Sequence, residues 1–133
     1  MRDYARRQTA ALLHKLAQAL HDASRQADAN SIHDVRVAMR RLSRCLRVFA
    51  PFYPDAYWKK IRHRMSTLMA AAGAVRDCDI AMELLAQAGV SRRTTLMAHL
   101  AAERRKTGKQ LLEEIRHWNR QGYARKWKSR LEL

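Results

Sequence analysis

The chain has 133 residues, 47% of them apolar, and carries 27 lysines and arginines against 12 acids, a formal charge of +15. That length allows one domain with a real core, the apolar content excludes a disordered chain, and no apolar run approaches the ~20 residues a membrane-spanning helix needs. So large an excess of positive charge costs stability through self-repulsion and points to a polyanionic partner: nucleic acid, polyphosphate or an anionic surface.

Only four glycines and two prolines interrupt a sequence rich in the strong helix formers Ala, Leu, Arg and Lys. The pattern predicts an all-α single domain, an antiparallel helical bundle of four long helices plus a short C-terminal helix, with a kinked third helix. Residues 2–28 form the first helix, since Ala5, Thr9, Leu12, Leu13, Leu16, Leu20, Ala23 and Ala27 recur three and four apart. Asn30 or Ser31 is the expected N-cap of the second, with Asp34 in its first turn. This helix stops at Ala50-Pro51, because the residue before proline is pushed out of the helical region. Phe52, Tyr53 and Pro54 make a packed aromatic connection. A third helix starts near Asp55, its expected N-cap, and runs to about Gln87, with Gly73 marking a kink or a close backbone approach and Gly89 closing it. Ser91 is expected to cap a fourth helix ending near Trp118, with apolar ends and a basic middle, AAERRKTGKQ. Gly122 breaks the chain, and Tyr123, Trp127 and Leu131 anchor the last helix.

Cys45 and Cys78 sit inside helical patterns without metal-ligand spacing and read as reduced, buried residues. The N-terminal stretch mixes charge into its apolar positions and forms no secretory h-region, so a cytoplasmic location is expected.

The richest stretch is SIHDVRVAMRRLSRCLRVF, from Ser31 to Phe49. On a helix, Val35, Ala38, Met39, Leu42, Cys45, Leu46 and Phe49 form one apolar face. Opposite them His33, Arg36, Arg40, Arg44 and Arg47 fall within an arc of about 80°, with Arg41 beside them. Like charges three or four apart repel, and only Asp34 answers five arginines. The line from His33 to Arg47 is about 21 Å long, a length suited to an extended polyanion. Arginine also suits phosphate, being planar, permanently charged and able to grip two oxygens.

His33 would donate hydrogen bonds to a phosphate oxygen. The alternative is a helix-start residue bonded to a carboxylate, and a metal role lacks a second ligand at helical spacing. Because adjacent helical residues do not face each other, Asp77 would orient an arginine from another helix while Arg76 reaches the groove. A structural salt-bridge network there is the alternative. Arg104, Arg105 and Lys109, as a second basic wall, and Lys59 and Arg62, among the bases crowding the third helix with Lys60 and Arg64, are anion-binding candidates of lower rank.

Two motifs carry a family resemblance: His33-Asp34-Val35-Arg36-Val37, followed by Arg40-Arg41-Leu42 and Arg44, and Gly73-Ala74-Val75-Arg76-Asp77, followed by Asp79. In order and separation they resemble the conserved histidine α-helical domain (CHAD) family, over nearly the whole chain. The resemblance implies an all-helical protein that binds inorganic polyphosphate in a basic cavity and is often associated with polyphosphate granules. The family's full domain looks like two related helical halves around that cavity. This chain resembles the first half alone, with no second histidine-arginine helix. The resemblance therefore implies either a homodimer that rebuilds the cavity, the preferred reading, or a fragment or minimal form with an open groove.

A nucleic-acid binder fits the charge, but the basic line lacks residues for base edges and exposed aromatics for stacking, with Tyr57, Trp58, Trp118 and Trp127 expected in the core. An enzyme of phosphoryl transfer would need converging carboxylates or a phosphate-cradling glycine loop, and Asp77, Asp79 and Glu83 do not converge. The chain is therefore expected to be no enzyme and to use no cofactor. A scaffold with a basic face is the plainest alternative.

Overall fold

A computed structural model describes residues 1–133. Five α-helices and one short 3₁₀ turn follow in order: α1 Arg2–Arg25, α2 Ala29–Val48, the turn Ala50–Phe52, α3 Asp55–Gln87, α4 Thr95–Gln121 and α5 Tyr123–Arg130. No strand is present. Each long helix packs against its neighbours in the chain and α1 closes on α4, so α2 and α4 lie across a diagonal. The core threads all of them: Leu13, Leu16 and Leu20 meet Ile32, Val35, Met39, Leu42 and Leu46, then Ile61, Met65, Leu68 and Val75, then Leu111, Ile115 and Trp118.

The helix ends differ from expectation at several boundaries. α1 stops at Arg25 and α2 begins at Ala29, because Asp28 is the N-cap. Its Oδ1 accepts the Ser31 N–H at 2.8 Å while Ser31 Oγ accepts the Asp28 N–H at 3.1 Å, a reciprocal capping box in which Ser31 is the third residue rather than the cap. These hydrogen bonds hold the Asp28 carboxyl below its ordinary range. Asp34 consequently lies beyond the first turn. The cap before α3 is Pro54, and Asp55 is already helical, its carboxylate accepting from Trp58 Nε1 at 3.4 Å. α4 starts at Thr95, with Thr94 Oγ1 accepting the Met97 N–H at 3.3 Å. Ser91 belongs to the preceding turn, where its Oγ accepts the Arg93 N–H. α4 also runs past Trp118 to Gln121, until Gly122 takes a left-handed φ of 63°. Gly89, at φ 83°, closes α3 as expected: its N–H reaches the Ala86 carbonyl and the Val90 N–H the Leu85 carbonyl, a Schellman motif.

α3 runs unbroken through Gly73, and a Cβ built there meets nothing within 4 Å. The expected close backbone approach is absent, and the missing side chain leaves open space. At the other end of the bundle Tyr53 is buried, sharing a 2.5 Å hydrogen bond with Thr9 of α1. Cys45 Sγ lies 3.4 Å from the same Thr9 hydroxyl, and burial pushes its thiol up. Both cysteines are free and buried. Trp118, Tyr123 and Trp127 pack with ring centroids 5.1 to 5.4 Å apart and dock α5 onto the bundle.

Candidate functional site

The site follows from how α2 divides its residues. Ile32, Val35, Ala38, Met39, Leu42, Cys45 and Leu46 are buried, which turns His33, Arg40, Arg44 and Arg47 to solvent and leaves Arg36 half-buried. None of these bases has an acid within ion-pair reach. In a chain of 27 lysines and arginines only two ion pairs form, Arg6–Glu132 and Arg104–Asp79, each at 3.0 Å. The positive charge of α2 is thus unneutralised from within the fold.

α3 supplies the other bank. Arg62 Nε donates to Ser43 Oγ at 3.0 Å and fixes the antiparallel register. Around that bond Met39, Arg40 and Ser43 face Arg62, Met65, Ser66 and Met69 across a cleft of about 180 Å³. Trp58, half-buried rather than in the core, lies under the Arg62 guanidinium at 5.7 Å. Farther toward the N-terminus of α2, the same register sets Arg36 across from Met69 and the open space at Gly73, with half-buried Arg76 one turn beyond. Arg36 Nε is buried without a hydrogen-bond partner. A buried donor with no acceptor is costly, and an anionic oxygen in the groove is the natural acceptor. Arg40 and Arg62 thus line the α2–α3 cleft. Helical phase sets Arg36, seven residues before Ser43, and Arg76, seven after Met69, on the same sides of their helices. His33, Arg44 and Arg47 are exposed on the outward arc of α2.

Other expected residues lie elsewhere. Arg41 turns to the opposite side of α2, into a cleft of about 340 Å³ shared with Lys15, Asp22 and Asp34. His33 stands in the second turn, so the free amides at the helix start are not beside it, and the Asp28 carboxylate occupies that end. Arg104 is no groove residue: Nε donates to Asp79 Oδ1 at 3.0 Å and Nη2 to the Ala27 carbonyl at 3.1 Å, tying α4 to α3 and the α1–α2 connection. Arg105 and Lys109 are exposed on α4, across the diagonal from α2, and cannot form a second wall with it. Lys59 is exposed beside the Trp58 ring, 5.8 Å from its centroid.

Asp77 is exposed and holds no arginine; Asp79 does so instead. Asp79 lies seven residues after Ala72 and four after Val75, both buried, so helical spacing points it inward and leaves Asp77 on the outer arc. Arg104, seven residues before buried Leu111, follows the same logic. Spacing alone could have found this pair. Ser43 and Ser66 were missed because nothing in their sequence context distinguishes them until α2 and α3 pair.

No group of three His, Cys, Asp or Glu side chains converges to hold a metal ion, and no helix is long and apolar enough to cross a membrane. No curated protein and no solved structure matches the chain. A family model does: that of the CHAD domain, over residues 4–132. With the paired motifs now set on facing helices, the chain belongs to the CHAD domain family.

Proposed function

We propose that this protein is a binding module for inorganic polyphosphate, which it holds along the α2–α3 seam by charge pairing and counterion release, without catalysis. The observation that carries this reading is the unpaired arginine row of α2 beside the Arg36 donor that lacks an acceptor. The arginines present repeated forks to a ligand whose phosphates are all alike. His33 would add a hydrogen bond at one end. Bare phosphate also suits the banks, because Arg62 already covers the half-buried Trp58 and no exposed aromatic remains in the seam for a base. A cytoplasmic protein on polyphosphate granules fits this role.

We further propose a homodimer that meets along the C-terminal part of α3, short of the exposed Arg92 and Arg93 in the α3–α4 connection. Two copies at +15 repel wherever bases crowd, but Asp77–Val90 contains three acids and no base. Ile80, Leu84 and Leu96 expose apolar surface in this region. Light scattering at low and physiological salt should give the mass of two chains; a single-chain mass at every concentration would end that proposal.

Competition tests the main reading. Labelled long-chain polyphosphate bound at physiological salt should resist large excesses of duplex DNA and RNA, and Arg40→Glu with Arg44→Glu should abolish binding while helicity stays intact. Displacement by nucleic acid at equal charge would instead favour a nucleic-acid-binding protein, the runner-up for a chain of this charge.

A further inference from the structure

The bases on the far side of α3 take no part in the α2–α3 seam. Lys59 and His63 stand one turn apart, as do Lys60 and Arg64 in the next row. With Thr67 and with Glu114 of α4 they line a cleft of about 550 Å³ between the two helices. Every lining residue is polar.

The one acid in this cleft is engaged, since Glu114 Oε1 accepts from Trp118 Nε1 at 3.1 Å. Arg64 is held in place as well. Its guanidinium lies over the Trp118 ring, 5.0 Å from the centroid, and donates to Gln121 Oε1. Neither lysine, nor His63, nor Arg64 forms an ion pair. The cleft thus combines one tethered guanidinium with three exposed bases on its rim, against the single carboxylate of Glu114.

We infer that this cleft is a second anion site, separate from the seam, that takes a compact inorganic oligophosphate the size of a triphosphate. Its length decides for a compact ligand: Lys59 to Arg64 spans about 7.5 Å of helix, against about 21 Å for the basic row of α2. Its lining decides for bare phosphate. Its residues are mostly basic and its apolar surface comes only from their stems, so no aliphatic or aromatic residue lines it to grip a base or a peptide side chain. Guanidinium forks and lysine point charges both suit tightly grouped phosphate oxygens. The site goes beyond the seam and needs none of its residues.

Calorimetric titration of the full chain with sodium tripolyphosphate tests it, using Lys60→Ala with His63→Ala, both exposed, as the cleft variant and Arg40→Glu with Arg44→Glu as the seam variant. Tripolyphosphate affinity should fall tenfold or more in the cleft variant and less than twofold in the seam variant. Amide shifts of the unmutated chain on adding tripolyphosphate should centre on residues 59–67, a readout that needs no variant. Unchanged affinity in the cleft variant, or equal loss in both, would overturn the second site. Long-chain polyphosphate on the same two variants reads the seam separately: retention by the seam variant would sink the seam and leave the cleft result standing.

Discussion

The outward face of α2 and the middle of α4 look alike in sequence. HDVRVAMRRLSRCLR and ERRKTGK both run base after base with few acids. In the folded chain they serve opposite ends. On α2 the arginines other than Arg41 follow the arc away from the core, form no ion pair, and lie on the side toward α3. On α4 the leading base, Arg104, lies on the core line and is spent on Asp79 and the Ala27 carbonyl, with about a fifth of its side chain exposed. The other bases of α4 point to solvent across the diagonal. Local charge density says how many cations a helix carries; which of them are free for a ligand depends on the phase of each against the buried stripe.

The largest way to break this contrast is Arg104→Ala. Removing one member of a mostly buried pair strands the other, and solvent access moderates the loss to about 2 kcal/mol of stability. Chemical denaturation should show that loss, while polyphosphate affinity of the folded protein stays within twofold. A large drop in affinity at unchanged stability would make α4 a binding wall after all.

The two helical glycines sharpen the comparison by about 1 kcal/mol each. A Cβ on Gly108 would run into the Arg104 guanidinium, whereas one on Gly73 meets open space. Gly73→Ala should therefore stabilise by about 1 kcal/mol through helix propensity. Gly108→Ala should destabilise by about the same amount in the native chain, because it displaces a tethered arginine. In the Arg104→Ala background its sign should reverse. Denaturation midpoints of the four Gly108 and Arg104 combinations decide; a Gly108→Ala effect that ignores residue 104 would deny the tether.

The smallest effect belongs to a single arginine of α2. Arg47→Ala should leave stability unchanged or raise it by a few tenths of a kcal/mol, since it relieves like-charge repulsion. It should also lower the slope of log affinity against log salt by about 1, as expected when one phosphate contact is lost. An unaltered slope would place Arg47 outside the path of the ligand.

Much of the fold is legible in the sequence. The count and order of helices, the burial of both cysteines, the left-handed glycine after α3 and the apolar face of α2 all follow from spacing within one segment. The errors came at boundaries. Asn30 and Ser31 were plausible caps by residue type, but Asp28 wins because Ser31 answers it as the third residue of a capping box. Thr94 displaces Ser91 because the turn consumes the Ser91 hydroxyl on the Arg93 amide.

For the candidate site, the sequence by itself determined which side of α2 is basic, because a period of 3.6 residues sets the arginines opposite a buried apolar stripe. It also set the charge of the chain and the absence of acids to answer it. Only the tertiary structure decided that α3 rather than α4 is the second bank, that Arg41 turns to α1, and that Asp79 rather than Asp77 holds an arginine on α4. The physical reason is range. Helical phase comes from neighbours within two turns, whereas the adjacency and register of helices depend on how all four apolar stripes fill one core.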